Sequence, residues 1–450
     1  MSEAPPQTHR ERSGAQSAQD LAERQRRHVL YTWTAQRQAR PVSIAYGEGA
    51  MFYDHEGKRW FDFESQVFNC NLGHGDQRVI EAISRQAQEL ACAHPAALFE
   101  AKARLGELLA EVSPGDMSHA FLCLSGSEAI ENAYKVARMI TGRPKVIARR
   151  RSYHGASMGA LSLTGDARRR PLEPGLWGVL RADDPYCYRC PYGLKPDGCA
   201  LQCATHIEHV IEMEGPDSIA AIFAEGVTGS NGGFIPPDGY WRHLRELCDK
   251  HGILLVADEV FSGFGRTGEW FAVDHWGVVP DLMTVAKGIT SGYAPMGALL
   301  MRPELASHFE DEQLWCGLTS YAHPISCAAA VATIKAYQED GLIDNARQQG
   351  AWLKAELEAV ARSEPWCGEG RCLGLFGTLE LDHHYIATLE GGEPAFSVAL
   401  KDALAQRQVH ALYKDHNLFI TPPLCVTSEQ LAEGLGRTQE AIAEALTRLS

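Results

Sequence analysis

The sequence predicts an α/β fold, in which a large domain with a mixed, mostly parallel sheet flanked by helices is joined to a smaller α+β domain. Three observations carry this prediction. Short apolar segments alternate with helical stretches: Val146-Ile-Ala148, Ile219-Ala-Ala-Ile-Phe223, 253–257, 282–285 and Ala298-Leu-Leu300. That alternation implies a sheet covered by helices on both faces. A chain of 450 residues with 45% hydrophobic content has room for two or more domains and a sizeable core. The last stretch, 341–450, mixes helical patterns with a strand candidate at 376–381.

In chain order, residues 1–28 interleave Pro, Gln, Arg and Glu and hold no apolar signal-peptide segment. They read as a mobile arm that turns helical near Leu21. Residues 45–63 have hairpin chemistry, with aromatic runs around glycine turns at Gly47, Gly49 and Gly57. Residues 79–105 are helical in period. The net charge of −15, from 57 acids against 42 bases, argues against a nucleic-acid or anionic-membrane partner. No apolar stretch reaches the length of a membrane span, so cytoplasmic residence is the default expectation.

Two strand ends carry the chemistry. Gly252-Ile-Leu-Leu-Val-Ala-Asp258-Glu259-Val260 is an apolar run that ends at a carboxylate. Leu282-Met-Thr-Val-Ala-Lys287-Gly288, 29 positions later, ends at an amine. An acid and a lysine projected into one crevice are what pyridoxal phosphate chemistry needs: the lysine forms a Schiff base, and the acid holds the pyridinium nitrogen protonated. Upstream, Leu124-Ser125-Gly126-Ser127-Glu128-Ala129 precedes a helical pattern with Ile130, Ala133, Val136, Ala137 and Ile140 on one face. Serines and glycine there are N-cap chemistry, and the free amides of a helix N-terminus suit a phosphate. Tyr153-His154-Gly155 follows an Ile-Ala strand end, where a tyrosine can stack on a pyridine ring. Each segment alone has a plainer reading: a surface lysine, a helix cap, a half-buried aromatic. Gly263-Phe-Gly265-Arg-Thr-Gly268 spells the dinucleotide fingerprint, but the aromatic stretch after it is not a helix opening, which makes a nicotinamide enzyme the weaker reading.

Taken in order, these motifs resemble the class III (ω-type) aminotransferases of fold type I, as do Ala224-Glu225, Ala286-Lys287-Gly288, Gly317-Leu-Thr319-Ser-Tyr321-Ala-His323-Pro324 and Thr421-Pro422-Pro423-Leu424. The resemblance covers the chain from about Gly47 onward. It implies pyridoxal 5'-phosphate on Lys287, which then serves as general base, and Asp258 against the pyridine nitrogen. It places Val260 and Tyr153 on the two ring faces and His154 beside the tyrosine. Ser125, Gly126 and Ser127 fall at the phosphate, joined by Thr319 from a partner subunit, and Glu225 beside the cofactor. Homodimers with shared sites follow, taking an amine donor and a 2-oxo acid acceptor, with pyruvate the usual acceptor. The implied domains are 29–75 and 338–450 for the small domain and 76–337 for the large one, with a Cys-rich insertion at 185–205. A mutase, racemase or decarboxylase of the same fold uses the same lysine and acid; a catalytically silent relative has no need of them.

The insertion holds four of the 13 cysteines, Cys187, Cys190, Cys199 and Cys203. Two paired-thiol spacings are a candidate thiolate zinc site, with His206 and His209 as spare ligands. The gap between the pairs is short for a zinc ribbon, which favours reduced or disulfide-linked thiols. The insertion and Asn69-Cys-Asn71-Leu-Gly-His74 are similar to the branch that includes taurine–pyruvate aminotransferases. Many relatives carry an acceptor-binding arginine some ten residues before the Pro-Pro-Leu. Here that segment is Leu412-Tyr413-Lys414-Asp415-His416-Asn417. Its lack of arginine puts 2-oxoglutarate in doubt and leaves Lys414 as the substitute, without the bidentate fork. Phe68 falls where relatives place an aromatic wall, which favours apolar donors or the methylenes of an ω-amino acid.

Overall fold

Seven strands form the central sheet of the computed structural model, which describes residues 18–450. Their spatial order is His119–Cys123, Gly297–Met301, Leu282–Val285, Leu254–Asp258, Ile219–Glu225, Lys145–Arg149 and Val179–Ala182. Gly297–Met301 runs antiparallel to both neighbours, and the remaining pairs are parallel. Every residue of Ile219–Glu225 is buried, which explains why the strand reads as a continuous apolar run rather than an alternating one. The helix Gly126–Thr141 covers one face with Ala129, Ile130, Ala133, Val136 and Ala137, and ends on Gly142 in the left-handed region.

Parallel register has a direct consequence for the chemistry. Glu225 pairs with Asp258, and Asp258 pairs with Thr284 on the next strand. Three successive strands therefore end together, and Lys287 follows the last of them by a few residues.

The helical period at 79–105 resolves into two helices, Gln77–Glu89 and Glu100–Val112. The break falls around Pro95, which cannot donate within a helix and disfavours helical geometry in the residue before it. The strands His119–Cys123, Val179–Ala182 and Cys367–Leu373 were not among the expected ones. Of the expected arm, Ala18–His28 is a helix, and residues 1–17 lie outside the described residues. Among the described residues no helix is long and apolar enough to cross a membrane.

The hairpin chemistry at 45–63 becomes a meander of Tyr46–Glu48, Met51–Tyr53 and Arg59–Asp62. Val409–His410 joins it in parallel beside Arg59–Asp62, so the C-terminal part of the chain completes the N-terminal sheet. A second small sheet pairs Cys367–Leu373, Phe376–Leu381, Asn417–Ile420 and Tyr413–Lys414 in that order. The long helix Leu342–Ser363 packs on it, while Ser428–Leu449 packs on Gly392–Gln406 beside Val409–His410 of the first small sheet; Thr427 and Gln430 form a capping box at the start of Ser428–Leu449.

Candidate active site

Lys287 opens a short 3-10 turn with a left-handed φ of 46°. Its neighbour has to be glycine, because a Cβ on Gly288 would lie 2.7 Å from Asn71 Nδ2 and 2.8 Å from Phe264 Cβ. The Lys287 Nζ stands 4.5 Å from the centre of the Phe261 ring and 5.6 Å from that of Phe68. Desolvation is the main cause that brings its pKa down to about 8; Asp258 and Glu225 oppose the shift, while Arg168 and Arg266 add to it.

Asp258 is held from two directions. Its Oδ2 lies 2.7 Å from His154 Nδ1, and its Oδ1 accepts from the Val260 N–H at 3.0 Å. With Nδ1 as donor, the buried Nε2 of His154 is left without a protein partner. Glu225, one strand over, is spent on the main chain: Oε1 accepts from the Tyr153 N–H at 3.1 Å and Oε2 from the Gly229 N–H at 2.6 Å. Burial raises its pKa. It fixes where Tyr153 begins.

The helix start at Ser125 is closed by its own chemistry. Ser125 Oγ accepts from the Glu128 N–H at 3.3 Å, and Glu128 Oε2 accepts from the Leu124 N–H at 2.7 Å. The amides of Gly126 and Ser127 belong to the first turn, which has no intrahelical acceptors. Ser127 Oγ accepts from the Ala156 N–H at 3.0 Å, tying this turn to the Tyr153-His154-Gly155 segment. A Cβ on Gly126 would meet Val260 Cγ1 at 2.7 Å, so the helix start and the strand carrying Asp258 touch through a glycine. An open helix N-terminus, a half-desolvated amine and a carboxylate fixed by histidine are the donor set that an aromatic aldehyde phosphate requires. The residues present fit pyridoxal phosphate.

Tyr153 is half-buried, with the Arg168 guanidinium carbon 3.7 Å above its ring centre and the Trp33 ring edge-on at 6.4 Å. Phe68 is buried against Phe261, with ring centres 4.0 Å apart. Lys414 is not a solvated loop lysine: its Nζ donates to Asn231 Oδ1 at 2.6 Å and to Asp166 Oδ2 at 3.2 Å. Among the described residues no side-chain hydrogen bond ties Thr319 to the cleft; it sits exposed on a turn ahead of the helix Pro324–Glu339.

The zinc candidate is not assembled. All four cysteines are free, and among the described residues no group of three or more His, Cys, Asp or Glu is arranged to hold a metal. Cys203 sits in the first turn of the helix Gln202–Glu214 and faces the core with Ala204 and Ile207. His206 Nδ1 accepts from the Asp183 N–H. The glycine-rich dinucleotide look-alike has a structural use instead: buried Arg266 donates to Leu375 O, Pro422 O, Ser65 Oγ and Asn71 Oδ1, stapling three chain segments. Arg168, Asp166, Asn231, Phe261 and Arg266 were missed from the sequence. Only Arg168 carried a signal, as part of the Asp166-Ala-Arg-Arg-Arg170 run, and that run reads equally as a basic surface.

Comparison with known proteins agrees with this geometry. Residues 33–442 match the family model for class III aminotransferases. The crystal structure of a taurine:2-oxoglutarate aminotransferase from Bifidobacterium kashiwanohense, in complex with pyridoxal phosphate and glutamate, superimposes with a TM-score of 0.91 at 33% identity over 96% of this chain and 99% of that one. A diaminobutyrate–2-oxoglutarate transaminase of Halomonas elongata is 32% identical over 95% of this chain and 97% of its own. A leucine/methionine racemase of Thermococcus litoralis is 34% identical over 90% of this chain and 91% of its own. A match across nearly the whole length, with a lysine and an acid at neighbouring strand ends, means that the chain belongs to the class III aminotransferases, enzymes that depend on pyridoxal phosphate.

Proposed function

We propose that the chain moves an amino group from a primary amine or ω-amino acid to a 2-oxo acid, pyruvate for preference, in two half-reactions at Lys287. The observation that carries this reading is the Lys287 amine, brought down to about 8 in a pocket it shares with the Asp258–His154 pair. Pyridoxal phosphate, when bound, supplies the electron sink for the carbanion left when the substrate loses its α-proton. The remaining work falls to the chain. The free amides of Gly126 and Ser127 take the phosphate. Asp258, oriented by His154 and the Val260 N–H, would hold the ring nitrogen. Val260 and Tyr153 would hold the ring, and Glu225 sets the Tyr153 main chain. Lys287 Nζ, neutral once the pH passes about 8, takes the proton from one carbon and returns it to another.

A homodimer completes this reading. An apolar groove of about 830 Å³, lined by Leu98, Phe99, Phe121, Phe309, Leu314 and Tyr321, opens beside the exposed Thr319 turn. Leu98 is 98% exposed and Trp315 67% exposed, an arrangement that suits burial against a second copy of the chain. That second copy would bring its own Thr319 to the phosphate.

The test is the visible absorption of the purified enzyme with its cofactor, before and after taurine, β-alanine, putrescine and an arylalkylamine. The band is expected to bleach with the matching donor and return with pyruvate. A racemase of the kind found among the relatives would interconvert amino acid enantiomers without consuming a carbonyl substrate in proportion. Failure of every donor to bleach the band would overturn the transaminase reading.

A further inference from the structure

We propose that His410 is a positioning residue for the cleft: held as an imidazolium between the carboxylates of Asp62 and Glu64, it keeps the left-handed turn Ser65–Phe68 closed and so sets Phe68 beside the Lys287 amine. The consequence for substrates rests on the transaminase reading, whereas the clamp itself does not.

His410 belongs to the two-residue strand Val409–His410 and pairs in register with Asp62. Both ring nitrogens face an acid: Nδ1 lies 3.5 Å from Asp62 Oδ1, and Nε2 lies 3.6 Å from Glu64 Oε2. These are ion-pair distances, and the buried Nδ1 has no hydrogen-bond partner. A neutral imidazole carries one proton, so it would turn a bare lone pair toward one of the two carboxylates. A charged ring meets both with an N–H. Burial opposes the charge, but the Asp62 and Glu64 carboxylates together outweigh it and raise the pKa of the ring.

The two acids bracket the turn. Asp62, fully buried, accepts from the Gln66 N–H at 3.3 Å and from Gln66 Nε2 at 3.0 Å. The Glu64 carbonyl accepts from the Phe68 N–H at 2.7 Å. Four successive left-handed residues without glycine do not hold themselves, so what fixes Asp62 and Glu64 also fixes Phe68. His410 reaches both acids from the far end of the chain. Its other neighbours leave that role intact. His74 Nε2 lies 2.9 Å from Asp62 Oδ2, and the Phe52 ring stands edge-on at 5.7 Å. Burial raises the Glu64 pKa, while the charges of His410 and Lys287 oppose that rise. On the helices packed against this strand, Asp402 is turned to Arg40, Arg437 to Glu433, and Glu440 and Glu444 to Arg407.

The sign of the pH dependence follows. A ring with a raised pKa is charged below it and neutral above it, so the clamp is present at low pH and is lost as the pH rises through the folded value. Alkali therefore loosens the Phe68 wall, and donors that lean on an aromatic wall lose most.

The experiment measures kcat/KM of the holoenzyme for 1-phenylethylamine relative to β-alanine from about pH 6 to about pH 10. The ratio cancels the titration of Lys287, which both donors share, and comparison between variants cancels the donors' own titrations. In the wild type the ratio is expected to fall roughly 5- to 10-fold with rising pH, the scale of one lost charged contact. His410→Gln should show the low ratio throughout. His410→Lys, a cation to higher pH, should keep the high ratio further into alkali. A wild-type ratio that runs parallel to that of His410→Gln, or a loss in His410→Gln that is equal for both donors, would overturn the proposal and leave His410 as packing for Phe52. Should His410→Gln not fold, Glu64→Gln and His410→Lys carry the same readout. If the wild type consumes neither donor, the transaminase reading has failed instead. There, and where only one donor is consumed, the clamp is judged by nuclear magnetic resonance of holoenzyme carrying isotope-labelled histidine. The imidazole signal that disappears in His410→Lys upholds the clamp if it titrates above the ordinary 6.5, and overturns it if it titrates at or below that value.

Discussion

The two walls of the cleft are built by different means. On one side Glu225 and Asp258 are register partners in adjacent parallel strands, and Lys287 follows the next strand. Main-chain ladders set those positions, and side-chain choice only decides what chemistry stands there. On the other side Arg168, Asn231 and Lys414 come from three unrelated segments and meet through side-chain hydrogen bonds, while Phe68 packs separately on Phe261. A ladder tolerates little adjustment, while a side-chain network can be rebuilt one residue at a time. The first wall is therefore the costlier of the two to rearrange.

The sharpest way to break this comparison is within the rigid wall. Asp258 and Glu225 look alike by position but differ in partners: a histidine ring and one amide for the first, two amides for the second. If Asp258 faces the ring nitrogen as proposed, Asp258→Asn is expected to lower kcat by about 10²- to 10³-fold through loss of that charge, an effect on the scale of acid–base catalysis. Glu225→Gln sets an NH₂ against a main-chain N–H, and is expected to cost about 1–3 kcal/mol of stability. Its kcat should fall by less than about tenfold. Thermal unfolding and steady-state kinetics on both variants decide the matter. An equal loss of kcat, with Tm intact in Glu225→Gln, would make Glu225 a chemical partner rather than a main-chain anchor.

The next effect concerns the amine at the junction of the walls. Burial lowers the pKa of Lys287 from the ordinary 10.5 to about 8. Below about 8 the amine is protonated and unreactive, so cofactor capture by the apoenzyme should quicken about tenfold per pH unit up to that point and then level off. An unperturbed lysine would keep accelerating toward 10.5. The linked stability has a defined sign: the folded state binds fewer protons than the unfolded one between about 8 and 10.5. The cost of burying the charged amine is thus full below about 8 and is recovered as the pH rises. A capture profile with its inflection near 10.5 would show that the pocket is wet and that the Phe68–Phe261 wall does not desolvate the amine.

These differences also explain what could be read before any coordinates. The positions of Asp258, Lys287 and the Ser125-Gly126-Ser127 turn were legible because each ends a strand or opens a helix, where local pattern alone sets the position, whereas Tyr153-His154 lies in the loop beyond Lys145–Arg149 and is fixed by Glu225 and Asp258. The mostly parallel sheet was legible through its apolar runs, whereas His119–Cys123 and Val179–Ala182, partly exposed strands at the sheet edges, were not. Arg168 and Asn231 gave no usable signal, because the network that joins them runs to Lys414, which lies far along the chain. The four-cysteine insertion left two readings open, a cage suggested by its paired spacing and free or linked thiols favoured by its short gap; the four are free, and Cys203 is drawn into the core by its helix.

The smallest predicted effect lies in the adaptable wall. Ser65, Gln66, Val67 and Phe68 have φ of 47°, 49°, 65° and 59°, four successive left-handed residues with no glycine among them. Each costs roughly 1–2 kcal/mol against the right-handed form, and a β-branched residue such as Val67 is the least suited. The turn persists because it is over-determined. Asp62 accepts from the Gln66 N–H and Nε2, Ser65 Oγ donates to Thr421 O, and Arg266 holds Ser65 Oγ from behind. Its product is the placement of Phe68 over the Lys287 amine. Val67 adds little to this, since it is 62% exposed. Val67→Gly should relieve its share of the strain and return part of the gain through a freer unfolded chain. A net stabilisation under about 1 kcal/mol is expected, visible as a Tm rise of a degree or two. A fall in Tm would mean that Val67 is covered in the assembled enzyme, and that the adaptable wall, like the phosphate site proposed for Thr319, is finished by a second copy of the chain.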